Sequence, residues 1–329
     1  MITQVFEGQG VSLADVVHDA LAYFRSCQRP DGSIVEQPGT LVFQEWDSVN
    51  ALKAIALWRG ASAFDDGDTV EGLLRFLRSR QKPTGMLSWG AIEVGPAEYC
   101  TETSSEYIAG LTHLGLLDDA RRKAVFLRST QLPSGPWAEV HSHIPRAFQT
   151  EPSVTGFALT ALLGLDVDAL YLDEALDFLV KAQKREGHFG INWYYYGTYY
   201  YLMRPAVAAL SGFGHHAPVG AARDFVLNRQ RDDGSWYDRV EGFGDYAAPE
   251  QHTALALETL VHAGMGSDEP PVRRAVEWLL RRRRSNGSWH GGTYPYPATD
   301  SYREFRATQD VVTTAQILSA FKQLSILEA

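Results

Sequence analysis

Cysteine is almost missing from this chain, whose 329 residues hold only Cys27 and Cys100. Neither stands in a Cys-x-x-Cys or Cys/His spacing, which argues against a disulfide scaffold and a structural zinc site and suits a reducing compartment. Nowhere do about 18 apolar residues follow one another, as a membrane span would require. Residues Met1 to Val11 lack the basic-then-apolar order of a secretory leader. Nor is there a basic excess: 40 acidic side chains oppose 30 lysines and arginines, a formal net charge of −10, which disfavours nucleic acid as a partner. The expectation is a soluble, cytoplasmic protein without a transmembrane segment. At 45% apolar residues the chain is too hydrophobic to be disordered, and its length suits one domain or two.

What the sequence does have is a repeat. A Gln is followed four residues later by Gly, and two residues after that by an apolar or aromatic side chain. The copies run Gln28 to Ile34, Gln81 to Leu87, Gln131 to Trp137, Gln183 to Phe189 and Gln230 to Trp236, with a sixth in which Arg283 replaces Gln and the last residue is Trp289. Their glycines lie 47 to 53 residues apart. Each copy follows a segment of helical periodicity, such as Leu13, Val16, Val17, Ala20, Leu21 and Phe24. Pro or Asp followed by Gly ends a helix, because Gly accepts a positive φ, and the apolar residue then packs back onto the repeat.

A linker of about 15 residues leads from each copy to a second helix that is small and apolar on nearly every face, as in Val49–Leu57, Val154–Leu162, Thr253–Leu260 and Val312–Ala320. A helix apolar all round is a buried one. Six amphipathic outer helices alternating with six buried inner ones predict an all-α (α/α)6 toroid around a central cavity. It would form a single domain over 1–329, with repeats near 12–59, 67–117, 118–165, 169–213, 218–265 and 269–326. An open solenoid is the alternative.

The Gln-x-x-Asp-Gly-Ser-Trp repeats resemble the QW motifs of squalene-hopene cyclases and other class II terpene cyclases, over about residues 12–326. The Thr-Ala-x-Ala-Leu type of inner helix is shared more loosely with protein prenyltransferase β subunits. Squalene cyclases carry two such barrels in one chain, so a chain of this length looks like one barrel standing alone. The resemblance also implies an Asp-x-Asp-Asp motif followed by Thr-Ala at the start of an inner helix, whose middle Asp protonates an alkene or epoxide. The counterpart in this sequence is Glu151-Pro-Ser-Val-Thr155-Gly, whose middle position is Ser153. Serine is no strong acid, so the resemblance carries the toroid and not the usual protonation machinery. Neither cysteine sits in an Asp-x-Cys, which disfavours the zinc-dependent prenyltransferase reaction.

Carboxylates nevertheless gather at the inner-helix starts. Aligned on one frame, Asp47, Glu102, Glu250 and Asp310 take equivalent positions in repeats one, two, five and six, with Glu151 next to that position in repeat three. Helix starts favour carboxylates for capping alone. Like charges around a low-dielectric cavity also raise a pKa, and a raised carboxyl becomes a general acid near neutral pH. Asp47 is the first choice for that acid, followed by Asp310 and Glu250, with His252 beside Glu250. His141 and His143 form a His-x-His that suits solvation or hydrogen bonding better than a divalent metal, so no cofactor is expected.

The stretch Asn192–Tyr201 is far richer in aromatics than the chain as a whole, at 12%. Tyr194, Tyr195, Tyr196 and Tyr199, with Trp46, Phe43, Trp89, Phe148 and Tyr294, suit a wall against a carbocation or polyene, and equally a hydrogen-bonded wall or plain packing. Arg204 and Arg303, like Arg146 and Arg306, suit a substrate diphosphate or carboxylate, or local acids. The Arg281–Arg284 run reads as a solvated helix end. The expected function is an atypical terpene cyclase-like isomerase or lyase that acts by acid-initiated cyclisation or isomerisation on a small apolar or isoprenoid substrate. The alternatives are a carbohydrate-directed (α/α)6 lyase or hydrolase, a non-catalytic ligand-binding toroid and a pure scaffold. A closed apolar cavity favours the isoprenoid, and an open polar groove the glycan.

Overall fold

The structure is a computed structural model that describes residues 2–36, 43–60, 66–90, 94–191, 196–238, 248–296 and 305–327, with backbone alone at 293–296 and 305–307. A short helix, α1 (Ile2–Gly8), precedes six helical pairs in which an outer and an inner helix alternate. They are α2 (Leu13–Ser26) and α3 (Gln44–Trp58), α4 (Gly67–Arg80) and α5 (Thr101–His113), and α6 (Leu117–Ser129) and α7 (Pro152–Leu163). The remaining pairs are α8 (Leu172–Ala182) and α9 (Tyr199–Gly212), α10 (His216–Leu227) and α11 (Pro249–His262), and α12 (Pro270–Arg282) and α13 (Asp310–Leu327). Inner helices pack on one another in sequence, α3 on α5, α5 on α7, α7 on α9, α9 on α11 and α11 on α13, and α13 returns to α3. The ring is closed, which sets aside the open solenoid and leaves the all-α toroid.

The two helix classes differ for the expected reason. Outer α12 buries one stripe, Val272, Ala275, Val276 and Leu279, and turns its arginines outward, whereas inner α13 buries Val311 through Phe321 without a break. One element is new. The linker before α13 holds an antiparallel hairpin, β1 (Thr293–Tyr296) and β2 (Phe305–Thr308), which pairs Thr293 with Thr308. Strands of four residues lie below what sequence periodicity resolves.

The repeat signature is a set of hydrogen bonds. The Gln28 side-chain amide donates to the carbonyl of Gly32 in its own turn (3.1 Å) and to that of Thr69 in α4 (2.9 Å). Gln131, Gln183 and Gln230 likewise bridge their own glycine and the start of the next outer helix, at Tyr171, Pro218 and Pro271. The indole N–H of Trp137, Trp236 and Trp289 donates to Leu127, Val226 and Leu279, carbonyls near the end of the outer helix just completed. Carbonyls of the last turn have at best an N–H three residues on, as Leu127 has from Thr130 and Val226 from Arg229, so the Trp finishes the helix while filling the gap beside it.

The seam explains the odd sixth copy. Gly287 packs against α2 of the first repeat, and Arg283, standing where the others have Gln, pairs through Nη1 with Asp19 of that helix at 2.9 Å. Gly287 has φ of 87° and a Cβ there would lie 2.3 Å from the Asp19 carbonyl oxygen. Gly287→Ala is expected to destabilise the fold by about 1–2 kcal/mol for the left-handed backbone alone, plus whatever the seam must yield, and so to lower the thermal unfolding midpoint. Calorimetry checks this, and an unchanged midpoint would mean that the seam carries no such strain.

Candidate active site

Inner helices share a register set by a hydroxyl near their starts. Ser48, Ser104, Thr155, Thr253 and Thr314 each accept the backbone N–H of a signature apolar residue, from Ile34, Leu87, Trp137, Trp236 and Trp289 at 3.0–3.2 Å. Counted back from that hydroxyl, Asp47 lies one residue away, Glu102 two, Glu250 three and Asp310 four. The four carboxylates therefore do not occupy equivalent positions, as the sequence frame had them. At 3.6 residues per turn they point in four directions.

Their surroundings differ accordingly. Glu250 is buried and paired with Arg282 at 2.8 Å, and Asp310 pairs with Arg284 at 2.6 Å and accepts the Gly291 N–H. Glu45 and Arg80 repeat the arrangement at 2.7 Å, an outer-helix arginine holding an inner-helix acid. Asp47 is buried, and burial, reinforced by repulsion from Glu36, raises its pKa well above the usual carboxylate range. His252 shares a 3.2 Å hydrogen bond with Thr198 and meets the ring of Tyr237 edge-on, and burial pushes it down to about 4, so it is neutral. Tyr199 packs beside His188 and Phe225 under the Arg229 guanidinium. None of these six side chains lines the cavity that holds Glu102. Tyr194, Tyr195 and Arg303 lie outside the described residues, as do the side chains of Tyr294 and Arg306.

That cavity opens among the first turns of α3, α5, α7 and α9, with about 470 Å³ of space that includes open solvent at its mouth and about 40 Å³ of interior room. Six aromatic residues, Trp46, Trp89, Phe43, Phe148, Tyr196 and Tyr201, line its wall. Tyr196 and Tyr201 stack at 4.1 Å, and the Trp46 indole N–H donates to the Tyr196 hydroxyl at 3.1 Å, which fixes three aromatic faces. Trp89 stacks on His141 at 3.9 Å, whose Nε2 meets Ser88 Oγ at 3.1 Å. His141 thus backs the Trp89 ring of the wall, with His143 beside it at 5.7 Å. Among the described residues no group of three or more His, Cys, Asp or Glu side chains is placed to hold a metal ion.

Three carboxyl groups reach this cavity, those of Glu102, Glu139 and Glu151. Glu102 accepts from Ser153 Oγ and from the Tyr201 hydroxyl, both at 2.5 Å. Glu139 takes the backbone N–H groups of Thr101 (2.6 Å) and Glu102 (3.0 Å), so it caps α5 from outside while lying beside the Glu102 carboxyl. Burial pushes both up, and repulsion from Glu102 adds to the rise of Glu139, which reaches about 8. The hydroxyls of Ser153 and Tyr201 and the charge of Arg204 draw Glu102 back without cancelling its rise. Two buried carboxyls side by side do not both ionise, so the pair keeps a proton at neutral pH.

Glu139 was not singled out from the sequence, although a signal was there. It stands two residues past the signature Trp137, where repeat one has Glu36 and repeat five Asp238. Glu36 accepts the Val311 N–H at the start of α13, and Asp238 accepts from the Tyr200 hydroxyl in the first turn of α9. An acid at this offset reaches back to the preceding inner helix. Arg204 belongs elsewhere, buried at mid-ring between Glu106 (3.3 Å) and Glu258 (3.6 Å).

Comparison with known proteins agrees with this architecture. Residues 146–309 match the squalene-hopene cyclase C-terminal domain. The chain superposes on a variant of the type II terpene cyclase MstE from Scytonema, in complex with its substrate geranylgeranyl dihydroxybenzoate, with a TM-score of 0.70 and 16% identity over 96% of this chain and 98% of that one. The fold is that of the class II terpene cyclases. A protein from Actinoplanes is equally similar, with a TM-score of 0.70 and 18% identity over 95% of this chain and 99% of that one. The squalene–hopene cyclase of Zymomonas mobilis is 27% identical over 182 residues, 50% of this chain and 27% of that protein. The terpentedienyl-diphosphate synthase of Kitasatospora griseola is 36% identical over 85 residues, 25% of this chain and 16% of that protein. This chain thus matches well under half the length of these relatives. Among the described residues no helix is long and apolar enough to cross a membrane.

Proposed function

We propose that the protein is an enzyme of the class II terpene cyclase type that cyclises or isomerises a polyprenyl substrate, with Glu102 as its general acid. The observation that carries this reading is the buried Glu102–Glu139 pair at the wall of an aromatic cavity. In the hydroxyl register Glu102 stands two residues before Ser104, as the middle Asp of an Asp-x-Asp-Asp-Thr motif stands before its Thr. Ser153 holds the same place one repeat later and donates to Glu102. The acid position is therefore filled in repeat two, by Cys100-Thr-Glu102-Thr-Ser104, and its neighbour supplies a hydroxyl that orients it.

Two backbone N–H groups and the α5 dipole favour negative charge on Glu139, whereas the hydroxyl partners of Glu102 accept as readily as they donate. The pair titrates as a unit, and its proton reaches the cavity through Glu102, which lines it. Transfer to a substrate alkene carbon or epoxide oxygen breaks the Glu102 O–H bond and leaves a carboxylate. The carbocation that forms is captured by the next π bond while lying against the faces of Trp46, Tyr196 and Tyr201, each contact contributing about 0.5–2 kcal/mol. Loss of a proton to Glu151 or to a water it orients ends the reaction, so atoms balance as an isomerisation. The mostly apolar wall supports an isoprenoid over a glycan.

The test is incubation in D2O with a series of geranyl-, farnesyl- and geranylgeranyl-bearing aromatic acids and their terminal epoxides. One deuterium per cyclised molecule is expected on carbon from the alkenes. Absence of any cyclised product across the series would remove this reading. The pH dependence follows from the same pair. Glu102 must be protonated, so kcat falls as pH rises through the loss of the shared proton. Glu139→Gln removes the neighbouring charge that holds the proton, and the alkaline limb moves to lower pH. A limb that stays in place would sever Glu139 from the acid.

A further inference from the structure

The helices that build the acid cavity run on past it, and each crosses the same boundary. Along α7, Val154 lines the acid cavity, Phe157 follows one turn deeper, and Thr160 and Ala161 line a second cavity toward the opposite face of the ring. The lining passes likewise from Trp46 to Lys53 on α3, from Glu102 to Glu106 on α5 and from Tyr201 to Arg204 on α9. Positions three, four or seven apart share one helix face, so the two cavities are stacked along the ring axis with Phe157 between them. The second has about 740 Å³ of space, open solvent at its mouth included.

Phe157 is held from both sides. It is 3% exposed, and its ring meets Trp46 edge-on and leans on Tyr201, each at 6.3 Å between ring centroids. Both of these stand in the wall of the acid cavity. From behind, the Arg204 guanidinium lies over the ring at 4.7 Å, itself held by Glu106 at 3.3 Å and Glu258 at 3.6 Å. A ring packed between two aromatics and a tethered cation keeps its place, since a close-packed interior leaves no room beside it. Behind it the ion pairs begin, with Lys53 Nζ reaching Glu106 at 2.6 Å, and a hydrocarbon gains nothing by covering charges. Depth on the acid side is scarce, with about 40 Å³ of interior room where ordinary ligand sites have roughly 300–1,000 Å³.

We propose that Phe157 is the specificity-determining stop of the acid cavity, the surface that limits how much of an apolar chain is buried past Glu102. The inference rests on the polyprenyl reading of that cavity. Truncation to Ala removes six carbons where one prenyl unit has five, so the stop retreats by about one unit. It goes no further, because Arg204 and Glu106 lie behind. A longer chain then buries carbons it would otherwise leave at the mouth, and a single methylene admitted or excluded is already worth roughly 10–200-fold.

The test equilibrates the intact protein with an equimolar mixture of geranyl-, farnesyl-, geranylgeranyl- and geranylfarnesyl-bearing aromatic acids. Native mass spectrometry reads the ratio of bound chains, with no need of turnover. Phe157→Ala is expected to raise the ratio of longer to shorter chains at least tenfold over the wild type. Phe157→Leu keeps a branched apolar side chain; it is expected to move the ratio the same way by less, and it decides the matter should Phe157→Ala fail to fold. A general loosening of the wall would lower all four chains together and leave the ratio in place. A ratio unchanged in the folded variants overturns the stop and leaves the polyprenyl reading standing, whereas no chain bound by the wild type overturns both.

Discussion

Replacing Glu102 with Gln is expected to lower kcat by about 10²–10⁴-fold, the usual share of a positioned general acid, while the protein stays folded. Gln keeps the length and shape of Glu, and its amide meets the Ser153 and Tyr201 hydroxyls from either end. What it loses is the acidic proton. KM should change little, because Glu102 is one of many groups on a wall lined by six aromatic residues. Parallel substitutions give the contrast. Glu250→Gln and Asp310→Asn break the pairs with Arg282 and Arg284 and so act on stability, with kcat within a few-fold of wild type. Should Glu102→Gln keep full activity while Asp47→Asn loses it, the acid would lie in the Asp47–Glu36 cluster instead.

Trp289→Ala is expected to cost about 3–5 kcal/mol of stability, as full truncation of a buried Trp does, and to bring the protein close to its unfolding threshold. The side chain is wholly buried, its indole N–H donates to the Leu279 carbonyl at 2.6 Å, and its ring meets Phe321 edge-on at 6.3 Å. Truncation opens a cavity and strips a helix-terminal carbonyl of its partner at once. It does so in the repeat that closes the ring, two residues from Gly287. Denaturant unfolding reads the loss; a change under about 1 kcal/mol, typical of surface positions, would mean that the signature is not the fastening described here.

The toroid was legible because each repeat solves a local problem with the same residues. Gln, Gly and Trp recur since every outer helix must end, turn and be capped, and those needs are met within one repeat or the next. The acid site was less legible because it is assembled across repeats. Glu102 could be named as a helix-start acid, but its partner Glu139 lies after the next outer helix and returns to α5. The sequence frame misplaced the acids because it counted carboxylates, whereas the structure registers inner helices by the hydroxyl that accepts the signature N–H. Arg204 read as a partner for a substrate anion or for local acids, and the acids it pairs with, Glu106 and Glu258, are contributed by helices α5 and α11. Such a pairing is set by ring geometry rather than by spacing along the chain.

The central claim is that the Glu102–Glu139 pair holds a proton at neutral pH and delivers it through Glu102. Infrared difference spectroscopy tests it without any substrate, through the C=O stretch of a protonated carboxylic acid. The wild-type-minus-Glu102→Gln difference at pH 7 should contain such a band, which disappears as the pH rises through the titration of the pair, whereas any contribution from the raised Asp47 carboxyl is common to both proteins and cancels. A difference spectrum without that band would contradict the assignment.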